Sequence, residues 1–415
     1  MANQNNSRQN NRLGEQLRPV GTNLTTRRQA LQIVGLGVAL GWNTACNSAE
    51  NKVSRKDAAE ASDDALDEAL RLLQKQEPKS KQGLSTHAPM VAEALCAMGQ
   101  ADRAVSWIED NRAPILELPG PFAPVDPNKW REALGPRVGA PTWEATNIRW
   151  ADWKEFFIRE LDQKPWQDVL DLWVGRLTPG MSGAATHGVI RTAHAVRGLG
   201  RRETPERKAE LVRGLAYWAS SYEELPARRR KGPPSDSFIK ALDQVPLYRD
   251  AFGRSPEGRN IVETLRHVRE LDQFADVRDM IAEPVDLTAA ISALTATFAR
   301  VYLQHGTKHD TIAFVHAVTG PCSLRRIAHH IKPATARAAL PYAWQTAAAI
   351  YSAYARPGET RKETESRLTP GELIARAIKN RDQHAIKFTE VMLAEHKLNP
   401  DAAYLAAAAD AITRL

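Results

Sequence analysis

Along most of the chain, apolar residues recur at spacings of three and four, a pattern that predicts amphipathic α-helices. Short runs of strictly alternating polar and branched apolar residues, which are typical of strands, are nearly absent. Pro341 is expected to kink or divide one of the helices. We therefore predict an all-α fold, with one large helical domain over 63–415 that follows a linker over 47–62. The predicted helices cover residues 63–76, 90–98, 150–161, 166–177, 209–222, 261–274, 287–303, 335–354, 370–378, 384–396 and 401–412.

The first 46 residues follow a different pattern. A polar, Asn-rich segment ends at Arg27 and Arg28, a short apolar run follows, and small residues lead up to Cys46. This order is typical of an export signal, and the paired arginines resemble a twin-arginine signal, although Ala30 stands where that signal usually has an aromatic residue. We predict that these residues are a leader and that the protein is exported to the periplasm. Lipid attachment at Cys46 and a disordered tail on a cytosolic protein are the alternatives.

The charge of the chain does not point to nucleic acid. Its 415 residues carry a formal net charge of +7, from 56 basic and 49 acidic residues. The leader holds five of the basic residues and one of the acidic ones, so the remainder is close to balanced. The four basic residues at 228–231 have no aromatic residues interleaved for base stacking, which favours a solvated loop. No stretch reaches the ~18 uninterrupted apolar residues of a membrane span. We expect neither a nucleic-acid partner nor a transmembrane helix.

Histidine is the residue type that points most clearly to chemistry. A single histidine in apolar surroundings is usually a hydrogen-bonded core residue. Burying several without partners is costly, however, and convergence on a metal ion between facing helices would satisfy them together. His187 and His194 are seven residues apart, so both can point inward, though not as a tight pair. The five histidines in apolar, small-residue surroundings on predicted helices are His87, His187, His194, His316 and His384.

The segments that carry these histidines resemble the questin oxidase-like family, and they lie at 86–95, 187–197, 315–319 and 382–387. The 187–197 string is the most specific part of a similarity that extends over most of the chain after the leader. Thr86 stands where relatives often have Asn, a difference that bears on hydrogen bonding rather than on ligation. Fungal members of this family oxidise anthraquinone-type polyketides and open their rings. One branch resembles a non-haem iron dioxygenase whose metal is held by several histidines and a carboxylated lysine.

The resemblance implies a ligand set for Fe(II). Lys387 would be the carboxylated lysine, and His384, three residues before it, either binds the metal or orients Lys387. An ammonium group cannot bind a cation, so Lys387 must lose its proton, which burial beside a dication favours. If the lysine is unmodified, Glu390 or Asp382 is the alternative oxygen donor. The imidazole ligands carried over by motif are His87, His187, His194 and His316.

Aromatic side chains are expected around the metal, because flat polycyclic substrates are stabilised by stacking against them. Each candidate could equally be a packing residue of the core. Arg191 lies one turn after His187 and is expected near the same helix face. It is either a catalytic residue that pairs with a phenolate or quinone oxygen, or a buried salt-bridge partner. The five candidates for the substrate pocket are Tyr217, Trp218, Phe314, Tyr342 and Trp344.

These observations favour one function and leave two alternatives. We predict a non-haem iron oxygenase that uses O2 to oxidise a small aromatic, quinone-like or polyketide-like molecule, with ring cleavage as one outcome. Questin oxidase is associated with a nicotinamide cofactor such as NADPH, but the chain has no nucleotide-binding motif to support it. The first alternative is a non-catalytic, exported helical protein that binds a metal or a hydrophobic ligand. The second is a metal-dependent hydrolase, which the few carboxylates near the histidines do not favour.

Overall fold

A computed structural model describes residues 50–76, 78–80, 84–111, 123–136, 142–307, 310–356, 358, 360–361 and 365–415. Within these residues the chain forms sixteen α-helices, several short 3₁₀ turns and two isolated β-bridges, but no strand. The prediction of an all-α fold is thereby confirmed. None of the described helices combines the length and the apolarity needed to cross a bilayer. The predicted leader, with its paired arginines and Cys46, lies outside the described residues.

From Lys52 to its end the chain forms one compact unit, and its helices are numbered in chain order. The first eight are α1 (Glu50–Leu72), α2 (Ala88–Ala97), α3 (Ala101–Asn111), α4 (Thr142–Gln163), α5 (Trp166–Leu177), α6 (His187–Arg201), α7 (Pro205–Ser220) and α8 (Phe238–Leu242). The other eight are α9 (Tyr248–Phe252), α10 (Ile261–Arg266), α11 (Leu287–His305), α12 (Thr311–Ile327), α13 (Pro333–Tyr354), α14 (Pro370–Asn380), α15 (Gln383–Leu398) and α16 (Ala402–Arg414).

The observed helices differ from the predicted ranges at several points, among them the expected linker, Pro341 and the 261–274 segment. Helix α1 begins at Glu50, so most of the 47–62 stretch that was expected to be a linker is helical. Helix α13 continues through Pro341 without a break, because its extensive burial offsets the one hydrogen bond that proline removes. The 261–274 pattern forms the short helix α10 and two 3₁₀ turns, since Leu271 adopts an extended backbone between the turns.

Helices α2, α6, α12 and α15 form a closed ring. Helix α6 contacts α2 and α12, and α15 contacts the same two helices. Helix α6 also packs closely along α7. A Cβ atom at Gly188 would lie 2.5 Å from Cα of Trp218, and one at Gly214 would lie 2.9 Å from Cα of Thr192. Because only glycine allows two backbones to approach so closely, these residues fix α6 against its neighbour.

The N-terminal parts of the four ring helices carry histidines. His87 immediately precedes α2, His187 is the first residue of α6, and His384 is the second residue of α15. His316 lies in the second turn of α12. Side chains on a helix lean toward its N-terminus, so the ring presents four imidazoles, far apart in the sequence, at one end of its helices.

Candidate metal centre

Four imidazoles meet where the ring helices begin, and we call His87, His187, His316 and His384 the histidine cluster. Nε2 of His187 lies 2.7 Å from Nε2 of His87 and 3.3 Å from Nε2 of His316. The ring of His384 contacts those of His87 and His316, with centroids 4.6 and 5.4 Å apart. Donor nitrogens of His87, His187 and His384 all lie within 4.8 Å of one another. All four side chains are buried, so the cluster is shielded from solvent.

Backbone carbonyls determine the tautomers of two rings in the cluster. Nδ1 of His187 donates to the carbonyl oxygen of Ala184, and Nδ1 of His316 donates to that of Ile312, both at 2.6 Å. A carbonyl can only accept, so in each neutral ring the hydrogen is on Nδ1 and the lone pair is on Nε2. The two lone pairs face each other across 3.3 Å. They repel unless a cation lies between them, and metal-binding histidines typically donate their other ring N–H in this way.

Burial keeps the cluster in the form that binds metals. It is the largest cause that lowers the pKa of His87, His187 and His316 well below the ordinary value, and neighbouring positive charges lower them further. The pKa of His384 is also lowered, chiefly by burial, although Asp382 opposes the shift. At neutral pH the rings are therefore uncharged, which is the state in which imidazole ligates a metal ion.

Lys387 lies one turn after His384 on α15 and is only 3% exposed. Burial lowers the pKa of its amine to about 7, with Asp382 opposing and Arg326 assisting the shift. Its charge in turn lowers the pKa of His87, which places the amine beside the cluster. A substantial share of the amine is then uncharged at neutral pH, and only this form can bind a cation or capture carbon dioxide.

The two alternative oxygen donors have other partners. Asp382 is the N-cap of α15, where its Oδ1 accepts from the backbone N–H groups of His384 and Ala385 at 2.7 and 3.0 Å. The same oxygen is 3.6 Å from Nδ1 of His384, which is too long for a hydrogen bond. Glu390 pairs with Arg197 and Arg326, away from the cluster. Both carboxylates are therefore already bonded to groups outside the cluster rings.

His194, the remaining imidazole candidate, lies apart from the other four. Its Nδ1 donates to Oε2 of Glu93 at 2.7 Å, and its ring is not part of the histidine cluster. His194 is not among the residues whose donor nitrogens lie within 4.8 Å of one another, which are His87, His187 and His384. His384, which the sequence left between two roles, occupies the fourth place in the cluster instead.

His194 belongs to a second group of polar side chains, which we call the charged layer: Glu93, His194, Arg197, Arg326 and Glu390. Nε of Arg197 donates to Oε1 of Glu93 at 2.7 Å, another nitrogen of Arg197 pairs with Glu390, and Arg326 pairs with the second oxygen of Glu390. Burial by itself would raise the pKa of Glu93, but Arg197 and His194 hold it well below its usual range. Each ring helix contributes to this layer, one to three turns beyond its histidine.

Two of the predicted pocket aromatics and Arg191 lie near the segments that carry His87 and His187. The hydroxyl of Tyr217 is 2.5 Å from Oγ of Ser85, two residues before His87. The backbone of Trp218 packs against Gly188. Arg191 makes a buried bidentate ion pair with Glu210, at 2.6 and 2.9 Å. The salt-bridge alternative for Arg191 is therefore the one observed, and its charge is already neutralised.

The other three predicted aromatics have contacts elsewhere. Phe314 packs against two other aromatic rings of the core. The indole of Trp344 donates to the carbonyl oxygen of Val277 at 2.8 Å, and it packs among core rings. The guanidinium group of Arg278 lies over Tyr342, 5.6 Å from the ring centre. Phe314 and Trp344 therefore have the contacts of packing residues in the core.

Sequence reasoning missed two parts of the site. The carbonyl groups of Ala184 and Ile312 orient the cluster, and no side-chain pattern reports on a carbonyl. The charged layer was missed as a unit, although Glu93 stands six residues after His87 within one of the motif segments and could have been noticed as a buried acid on a predicted helix. Taken together, the neutral nitrogens of the cluster and Lys387 fit a divalent transition metal.

A sequence model of the questin oxidase-like family matches residues 122–392. No curated protein matches the chain significantly. Three cluster histidines and Lys387 fall inside the matched range, and His87 precedes it. Because the match covers more than half of the chain, the protein belongs to the questin oxidase-like family. Membership indicates an oxidoreductase that acts on a small molecule.

Proposed function

We propose that this family member is a non-haem iron oxygenase that acts with O2 on an aromatic or quinone-like small molecule. The observation that carries the proposal is the histidine cluster, in which two buried Nε2 lone pairs face each other across 3.3 Å. Buried polar groups in proteins are normally satisfied, and a metal ion is the partner that satisfies all four rings at once. Bound iron would supply the redox chemistry that allows O2 to react.

The chain's own residues would hold this metal and set its charge. His87, His187, His316 and His384 offer four neutral nitrogens, so the bound dication keeps its full positive charge. Lys387 would complete the set, either as a neutral amine or, after capture of carbon dioxide, as an anionic carbamate. A positive centre in a solvent-shielded site attracts an ionised phenol or enol, which matches a polyphenolic or quinone-like substrate.

Metal analysis and nitric oxide binding test the proposal. Protein purified anaerobically and loaded with Fe(II) should hold close to one iron per chain, and its nitric oxide adduct should give the electron paramagnetic resonance signal of an open ferrous site. His316→Ala should lose most of the iron. His329→Ala, at an exposed position, should retain it and serves as the matched control. A wild-type protein that holds no metal above the level of His316→Ala would refute the proposal.

Oxygen consumption separates catalysis from metal storage. The iron form should consume O2 when a hydroxylated anthraquinone is added, and assays with and without NADPH decide whether a nicotinamide cofactor is required. If the protein binds iron but neither binds nitric oxide nor consumes O2 with any member of a polyphenol panel, the non-catalytic metal-binding alternative replaces the oxygenase. Loss of activity in Lys387→Met with iron retained would assign the lysine to the reaction rather than to metal retention.

A further inference from the structure

The chain takes an unusual path immediately before His187. Ala184, Ala185 and Thr186 all have left-handed backbone conformations, with φ of 49°, 52° and 67°. This conformation is disfavoured for L-amino acids because Cβ approaches the following carbonyl oxygen, and a β-branched residue such as Thr is an outlier there. All three residues are buried. Strain of this kind persists only where the surroundings hold it, and it is concentrated at functional sites.

The turn gives His187 a hydrogen bond that its position on the helix cannot provide. His316 is inside α12, so the carbonyl group four residues earlier, at Ile312, reaches its Nδ1. His187 is the first residue of α6, and no helical turn precedes it. The left-handed turn instead brings the carbonyl oxygen of Ala184 to within 2.6 Å of Nδ1 of His187. Both rings thereby present the same nitrogen, Nε2, to the cluster.

The same turn is docked on the helix that carries His316. A Cβ atom at Gly320, one turn after His316, would lie 2.7 Å from Cγ2 and 2.8 Å from Oγ1 of Thr186. Real Cβ atoms do not approach other atoms so closely, so the missing side chain at Gly320 is what allows the turn to lie there. The contact ties the ring of His187 to the helix of its neighbour in the cluster.

We propose that the turn Gly183–Thr186 is a positioning element of the metal centre, which fixes the ring orientation and tautomer of His187 through the Ala184 carbonyl. The inference rests on the proposed metal-dependent function. It assigns no catalytic role to the turn, because none of its residues belongs to the ligand set. Its role is to supply a backbone carbonyl acceptor for Nδ1 of His187, which for His316 comes from the preceding turn of its own helix.

The decisive variant is Gly320→Ala, studied with Co(II) as the probe metal. The added methyl group displaces Thr186, so we expect Co(II) affinity to fall roughly 10- to 100-fold, as for other losses of hydrogen bonding around metal ligands, with a shift of the visible Co(II) bands. Gly175→Ala is the matched control, because its Cβ would meet only Cγ2 of Thr335 at an ordinary 3.7 Å. A folded Gly320→Ala protein with wild-type Co(II) affinity and spectrum would overturn the inference.

Two further measurements apply even if Gly320→Ala does not fold. In the Zn(II) form of the wild type, nitrogen NMR should show His187 ligated through Nε2 and protonated at Nδ1, and ligation through Nδ1 would overturn the inference. Ala185→Gly should raise the melting temperature of the metal-free protein, because glycine adopts the left-handed conformation without strain. Ala195→Gly, an equally buried position within α6, should lower it. A lower melting temperature for both Ala185→Gly and Ala195→Gly would contradict the presence of strain in the turn.

The outcomes distinguish this inference from the proposed function. If the wild type binds neither Co(II) nor Zn(II), the proposed metal centre fails, and the positioning role fails with it. If the wild type binds both metals but the turn variants leave affinity, spectrum and tautomer unchanged, only the positioning role fails, and the oxygenase proposal stands.

Discussion

The histidine cluster and the charged layer are built on the same four helices, and both are largely buried, but they differ in how their polar groups are satisfied. In the charged layer, Arg197 lies between the carboxylates of Glu93 and Glu390, so charges of opposite sign neutralise each other. In the cluster, Nε2 lone pairs of His187 and His316 face each other with no opposite charge beside them. The comparison shows that burial alone does not indicate a ligand site. The informative feature is a set of buried imidazole nitrogens whose nearest polar partners are one another.

The largest effect is expected from breaking the charged layer at its shared cation. Arg197→Met leaves two buried carboxylates short of a partner, and we expect the free energy of unfolding to fall by about 3–5 kcal/mol. Arg201→Met, one turn further along α6, removes a half-exposed pair with Asp63 and should cost at most about 1 kcal/mol. Denaturant unfolding of the two variants and the wild type, all without metal, measures both losses of unfolding free energy. Equal losses would show that the layer is no more important to stability than a surface ion pair.

Adding a metal should stabilise the folded protein through the cluster, and it should not restore the stability that Arg197→Met loses in the charged layer. At a Co(II) concentration of roughly 100 times its dissociation constant, the free energy of unfolding should rise by about 2.7 kcal/mol. Arg197→Met should show the same increase from its lower starting point, whereas His187→Ala should show none. His329→Ala, at an exposed position, should behave like the wild type. An increase that survives in His187→Ala would mean that the metal binds elsewhere.

A pH series sharpens the comparison through His194, which is the histidine of the charged layer. Its pKa is lowered to about 4 in the folded protein, chiefly by burial, against 6.5 in the unfolded chain. Above pH 6.5 both states leave it neutral, and stability is unaffected. As the pH falls from 6.5 toward 4, only the unfolded chain takes up the proton, so stability decreases by about 1.4 kcal/mol per pH unit.

His194→Gln removes this titration and retains a donor for Glu93. Between pH 7.5 and 5.5 the metal-free variant should lose about 1.4 kcal/mol less stability than the wild type, since roughly one pH unit of that interval lies below 6.5. The cluster histidines titrate in both proteins, so their contribution cancels in the difference. His329→Gln is the exposed control. Superimposable pH profiles for wild type and His194→Gln would contradict the burial of His194 as a neutral ring.

The two regions also show what can be predicted from the sequence. The apolar spacing that predicts a helix depends only on the residues of that helix. The all-α fold was predictable from the sequence for this reason. The same apolar surroundings selected His316 and His384. They could not separate His187 from His194, because the difference is the partner Glu93, 101 residues away in the chain. The left-handed turn could not be predicted either. A positive φ is usually indicated by glycine, and residues 184 and 185 are both alanine.

The smallest effect is expected from Asp382→Asn, at the edge of the cluster. This substitution tests whether Asp382 is a helix cap or a metal ligand. If Asp382 only caps α15, Asp382→Asn should change stability by less than about 0.5 kcal/mol, because Asn is an equally good N-cap. Iron content and Co(II) affinity should stay at the wild-type level. If Asp382 instead supplies the oxygen ligand, the neutral amide should weaken Co(II) binding by roughly tenfold or more while the helix cap remains intact. A titration with Co(II), monitored by visible absorption, distinguishes the two cases. Unchanged binding leaves Lys387 as the ligand that α15 supplies in addition to His384.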